Sequence, residues 1–324
     1  MNFSDNINIP LRILKNPNIF FYLLNTIKSN YFWTLNMSGR QSIPPVVKKK
    51  LRSEVGFGCP VKGCGNPYLE YHHFDPPVNI KPHNDPEGMI ALCAQHHKKA
   101  DGGAYTVEQL HNLKKDKFNA TVVKGNLDWL RRDLLAVVGG NFYFETPKII
   151  TVDGVDLVSL LRDEDGYLRL SVNMLSCLAE ERIIIKDNYW ENVGFPVDLR
   201  SPPQGKELEA RYHNGDYLYL RFIELESFEK AQKRYSTNIF EDLSFPVTAV
   251  EVSMTIAGTS IELTNKSSFL GGLQVAGCLL SNCDGGIVIE NTGISWKQNP
   301  KFRHEMLVEK TDHENVIKVN FSRR

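Results

Sequence analysis

The chain has 324 residues, enough for two domains that each bury a core. Hydrophobic residues make up 42% and charged residues 23%, ordinary globular values that exclude a mainly disordered or collagen-like chain. Lys+Arg and Asp+Glu each number 38, so bulk charge names no partner, and no apolar run reaches the ~18 residues needed to cross a bilayer. The neutral total hides an asymmetry. Residues 38–135 hold 15 basic against 10 acidic side chains, residues 136–324 hold 20 against 27, and the first 37 hold 3 against 1. A basic front and an acidic back imply two separate tasks.

In chain order, Pro10 and Pro17 interrupt the first segment, where Ile19–Leu24 with Ile27 reads as one short helix. Met37 is an alternative start, which makes residues 1–37 an extension; the other reading packs that helix on a domain. The brief apolar patch lacks the small-residue cleavage site of a secretory signal. Six cysteines in so long a chain are too few for a disulfide scaffold, so a reducing cytoplasm is expected. Pro45–Arg52 has a helical pattern, and 53–104 is a loop-heavy stretch rich in Gly and Pro. Thr106 and Gln109 have capping-box spacing, and Val107, Leu110, Leu113 and Phe118 form a stripe, which predicts a helix over 107–119. Asn126 is expected to cap a second helix, with Trp129, Leu130, Leu134 and Val137 inward and Gly139-Gly140 ending it. That places a first domain at 38–138.

From 141 to 324 the texture is β. Lys148–Val152, Val155–Leu160, Leu168–Val172, Arg182–Ile185, Tyr217–Ile223, Val247–Ile256 and Gly286–Ile289 are rich in branched and aromatic residues. Asp153-Gly154, Asp165-Gly166, Asn214-Gly215 and Asp284-Gly285 punctuate them as turns. The expected fold class is α+β, a small metal-stabilised unit followed by an acidic, mainly antiparallel β domain, sandwich-like or wrapped. Cys177, Cys278 and Cys283 are expected there as buried thiols.

The chemistry concentrates between residues 59 and 101. Cys59 and Cys64 sit in a glycine-rich turn, with Gly58, Gly63 and Gly65 beside them. Cys93 and His96 are one helical turn apart, so both can meet a single ion. Three thiolates and an imidazole suit a closed structural Zn2+ site; the alternative is unmetallated thiols beside surface histidines. His72, His73 and His97 are left over, either as catalytic groups or as packing and capping residues.

Glu70-Tyr-His72-His73 and Leu92-Cys93-Ala-Gln-His96-His97 resemble the HNH endonuclease family, the ββα-metal or His-Me finger nucleases, over residues 45–120. The resemblance implies that His73 is the general base and that His72 and His97 bind a catalytic divalent ion, Mg2+ or Mn2+. It further implies DNA as substrate and products with a 5′-phosphate and a 3′-hydroxyl. The family's asparagine stands nine residues before the final histidine, where this chain has Gly88; Asn84 is the nearby asparagine assigned to hold the loop. Lys98 and Lys99, directly after His97, are the expected contacts to nucleic acid. Asp101 reads as a cap or surface residue, with service at the site as the other reading. By analogy a nuclease joined to such a β domain suits restriction or phage defence, with the β domain contacting a protein or small ligand or driving self-association. A zinc-stabilised binding module without catalysis is the competing reading, motivated by Gly88.

Overall fold

The structure, a computed structural model, describes residues 42–241, 243–290, 293–296, 304–310 and 316–323. The expected extension, its helix and the alternative start at Met37 lie outside the described residues.

Pro45 opens helix α1 (Pro45–Glu54), where its missing N–H costs nothing and its fixed φ suits the first turn. The glycine-rich turn follows, then β1 (Leu69–His73), a loop, β2 (Met89–Cys93), α2 (Ala94–Asp101) and α3 (Val107–Lys115). β1 and β2 pair antiparallel without a register shift, from Leu69 opposite Cys93 to His73 opposite Met89. Leu51, Val55, Leu69, Phe74, Met89, Ile90, Leu92 and Leu110 form the core of this small unit. The expected capping box is present: the Thr106 hydroxyl accepts from Gln109 N–H and the Gln109 side chain accepts from Thr106 N–H. α3 ends at Lys115 rather than 119, because the chain turns back and Phe118 N–H donates to the Val55 carbonyl.

The remaining strands are β3 (Lys124–Asn126), β4 (Leu134–Val138), β5 (Asn141–Phe144), β6 (Lys148–Val152), β7 (Val155–Arg162) and β8 (Leu168–Asn173). Then come β9 (Ile184–Lys186), β10 (Tyr189–Glu191), β11 (Asp198–Arg200), β12 (Glu207–Arg211), β13 (Tyr217–Leu225), helix α4 (Phe228–Tyr235) and β14 (Val247–Ile256). The helix expected from Asn126 to Val138 is absent; those residues carry β3 and β4 and belong with the β structure. The physical reason is that β4 lies between β5 and β14 and is covered on both faces. Leu134, Ala136 and Val138 enter one core, while Leu135 and Val137 enter another beneath α4.

An eight-stranded sheet runs from β6 to β10 in sequence order, with β3 beyond β10 and Ile287–Glu290, then Gly293–Trp296, beyond β6. A twelve-stranded sheet contains β11 to β14 in sequence order and, through parallel pairing with β14, β4 and its partner β5. Leu157, Val158 and Leu170 of the first sheet share a core with Leu208, Leu218, Leu220, Phe222 and Val252 of the second. The two sheets therefore face one another as a sandwich. Pairing is mixed rather than wholly antiparallel, since later strands return to lie parallel beside β4, β5 and β6. Asp153-Gly154 forms a two-residue hairpin turn with both residues at positive φ; Asp187-Asn188 makes the same turn without a glycine. Cys278 and Cys283 are buried, but Cys177 is exposed, since it lies in the loop between β8 and β9.

The small unit is joined to the sandwich by a buried ion pair. Arg52 of α1 makes three hydrogen bonds of 2.6–3.0 Å to Asp198 of β11 and a fourth, 2.8 Å, to the Tyr71 hydroxyl on β1.

Candidate metal centres and active site

Cys59 and Cys64 hang from a turn closed by Gly65 N–H to the Cys59 carbonyl and by Cys64 N–H to the Val61 carbonyl. Gly65 has φ 61°, and a Cβ there would fall 2.1 Å from the Phe118 ring, so only glycine fits. Cys93 ends β2 and His96 lies in the first turn of α2. Cys64 and Cys93 sulfurs are 3.8 Å apart, and His96 Nδ1 stands 3.3 Å from Cys59 and 3.2 Å from Cys93. Tetrahedral zinc at ordinary bond lengths sets S–S edges of about 3.8 Å and S–N edges of about 3.5 Å. The sulfur pair meets that edge and the S–N separations fall just inside theirs. Burial foremost, with Cys93 and Cys64 adding to it, pushes the Cys59 thiol up to about 12. The bare Cys59 thiol stays protonated, whereas a cation would favour its thiolate. The four donors can thus hold a metal ion such as zinc.

A second cluster forms on the other side of α2. His72 Nδ1 is 3.1 Å from one Asp101 oxygen, and His97 Nδ1 is 3.4 Å from the other. The two imidazoles meet edge to face, with centroids 5.2 Å apart, and the three donor atoms surround one point. Glu70 adds a carboxylate oxygen 3.4 Å from His97 Nδ1. Burial foremost, and then His97, lower the His72 pKa against the pull of Asp101. A neutral imidazole keeps a lone pair for a ligand. Two imidazoles and a carboxylate fit a divalent cation. Asp101 thus faces both imidazoles.

His73 is brought to the same place by a different route. Its neighbour on the strand reaches Asp101, while its own ring meets His83, centroids 5.1 Å apart, and its Nε2 lies 3.0 Å from the His83 carbonyl. A carbonyl only accepts, so Nε2 carries the proton and Nδ1 is left as the basic nitrogen. Adjacent strand residues face opposite sides, yet both histidines line one hollow, because β1 ends at His73. One hollow of about 500 Å³ is lined by His72, His73 and Asp101, and an adjoining one of about 430 Å³ by Lys48, Tyr71, His73, His83 and His97.

Gly88 stands at the position where the resemblance places an asparagine. Its carbonyl accepts from Phe74 and Asp75 N–H, and a Cβ would fall 1.8 Å from the Asp75 carbonyl oxygen. No side chain fits there. His83 ties down the loop instead. Its Nδ1 accepts from Asp85 N–H at 3.1 Å, which leaves the Nε2 proton for the Pro76 carbonyl at 2.9 Å. Asn84 stands outside these contacts, its Oδ1 buried without a hydrogen-bond partner. Lys98 and Lys99 are exposed on α2 and line neither hollow.

The chain matches no known family model, no curated protein and no solved structure. Among the described residues no helix is long and apolar enough to cross a membrane.

Proposed function

We propose that the chain is a metal-dependent endonuclease that hydrolyses DNA phosphodiester bonds at the His72, His73, His97 and Asp101 site. The observation that carries this reading is the convergence of two imidazoles and a carboxylate beside a histidine whose tautomer is set by a backbone carbonyl. His72, His97 and Asp101 would hold Mg2+ or Mn2+; when bound, such an ion supplies positive charge to the phosphate and leaving oxygens. His73 Nδ1 takes a proton from the attacking water as its oxygen bonds to phosphorus. The P–O3′ bond breaks, and O3′ gains a proton to leave as the 3′-hydroxyl opposite a 5′-phosphate. Zn2+ at Cys59, Cys64, Cys93 and His96 would cross-link the turn to β2 and α2, so that the other face of α2 stays in place.

The contacts of His83 support retained catalysis in spite of Gly88, because the loop is tied without an asparagine. Six free thiols suit a reducing compartment such as the cytoplasm. The acidic sandwich is a poor grip on DNA, and we assign it to recognition, sensing or assembly. The test is supercoiled plasmid incubated with magnesium or manganese and either the parent chain or His73→Ala. Cleavage by the parent and none by the variant, with one zinc per chain in both, is the expected result. Equal cleavage by His73→Ala would overturn the assignment of the base.

A further inference from the structure

We propose that Lys48 binds a phosphate of the substrate in the hollow it shares with His73 and His97. This rests on the nuclease reading. Among the described residues, Lys48 is the one lysine or arginine that lines either hollow at the site. Three other cations of the small unit are engaged. Lys50 is paired with Glu54 and Glu87, Lys114 with Glu54 and the Pro86 carbonyl, and Arg52 with Asp198 and Tyr71.

Lys48 has no carboxylate within ion-pair distance among the described residues. Its ammonium instead lies over the Tyr71 ring, 5.8 Å from the centroid. That ring is itself fixed, since the Tyr71 hydroxyl accepts from Arg52, which the buried Asp198 holds. An ammonium placed on a fixed platform at the mouth of a cavity loses little freedom when a ligand arrives.

Charge gives the reason for one. Glu70 and Asp101 put two carboxylates beside His97, and their field opposes the approach of a polyanion. Lys48 lines the same hollow as Glu70 and His97, and its charge offsets that field there. Lys98 and Lys99, exposed on α2, line neither hollow.

The experiment compares the parent, Lys48→Gln, Lys48→Arg, His73→Ala and the exposed control Lys115→Gln in two assays. Plasmid cleavage with manganese gives kcat and KM; fluorescence anisotropy of a duplex oligonucleotide at several salt concentrations gives the salt slope of binding. Thermal melts and zinc content check that each variant folds. Lys48→Gln should lower kcat by about 10²–10³-fold, the usual loss of a donor to a charged transition state. Lys48→Arg should recover part of that loss, and Lys115→Gln should match the parent. The binding slope of Lys48→Gln should be shallower by about 0.9, one released counterion. If His73→Ala is dead and Lys48→Gln cleaves like the parent, Lys48 is wrong and the nuclease reading survives. If the parent never cleaves but Lys48→Gln still flattens the slope, the phosphate contact stands and the nuclease reading falls. A parent that neither cleaves nor binds overturns both.

Discussion

Gly88→Ala would drive a methyl group into the Asp75 backbone, and neither the strand end nor the loop is a flexible tip that can give way. The expected cost is about 1–3 kcal/mol in urea unfolding, with the midpoint lowered and the slope unchanged. An alanine variant as stable as the parent would show that the loop relaxes. A second residue supplies a pH signature. Burial alone would raise the Asp216 carboxyl, but hydrogen bonds from Ser176, Asn214, Arg182 and Ala257 N–H hold it below its usual value. A folded pKa below the unfolded one means the stabilisation is complete above the unfolded value of about 3.9. It fades as pH falls through the lower, folded value. Asp216→Asn should therefore cost most at neutral pH and progressively less in acid, measured as urea midpoints between about pH 7 and pH 2. At this scale the Cys59, Cys64, Cys93 and His96 donor set was legible, and Glu70 and Asp101 were nearly so. Glu70 lies two residues before His72 on one strand face, and Asp101 one helical turn after His97, yet carboxylates are so common on surfaces that spacing alone gave Glu70 no role and favoured a cap for Asp101.

Three of the four basic residues of helix α1 are divided among three neighbours: Lys50 goes to the loop at Glu87, Arg52 to the sandwich and to β1, and Lys48 to the Tyr71 ring. Asp198→Ala would leave a buried guanidinium without its counterion and should cost about 3–5 kcal/mol. Replacing both partners by apolar residues, Arg52→Met with Asp198→Leu, should recover most of that loss in denaturant titrations. A double variant worse than Asp198→Ala would mean that the pair is more than compensated charge. The elements legible in advance were those with local punctuation: Pro45 at the start of α1, the Thr106–Gln109 box, and the Asp153-Gly154 turn. Strand β4 was misread because a strand buried on both faces shows an unbroken apolar run, Leu-Leu-Ala-Val-Val, with no period-two alternation. β13 shows what a half-covered strand looks like, with Leu218, Leu220 and Phe222 inward and Tyr217, Tyr219 and Arg221 outward. What covers a strand's second face is a fact of tertiary structure, set for β4 by α4 and the residues around Phe240.

Across the whole molecule, the small unit and the sandwich have separate cores. Loss of the Cys59, Cys64, Cys93 and His96 ion, by chelation or by Cys64→Ser, should therefore unravel one without the other. Hydrogen exchange should accelerate over residues 51–110 while β12, β13 and β14 keep their protection. Uniform loss of protection would show that the two parts unfold as one cooperative unit.

The pairing of β4 with β14 also sets a timetable. β14 begins 109 positions after β4 ends. At ~5–20 residues per second of synthesis, roughly 5–20 s pass between the appearance of the two strands. The small unit needs nothing beyond Phe118 to close on its turn, so it can fold while the rest is still being made. During the same interval β4, paired only with β5, offers an apolar strand edge to whatever lies near the ribosome. Nascent chains of this protein should need chaperone cover for their middle third, and truncations that stop before residue 247 should aggregate rather than stay partly folded.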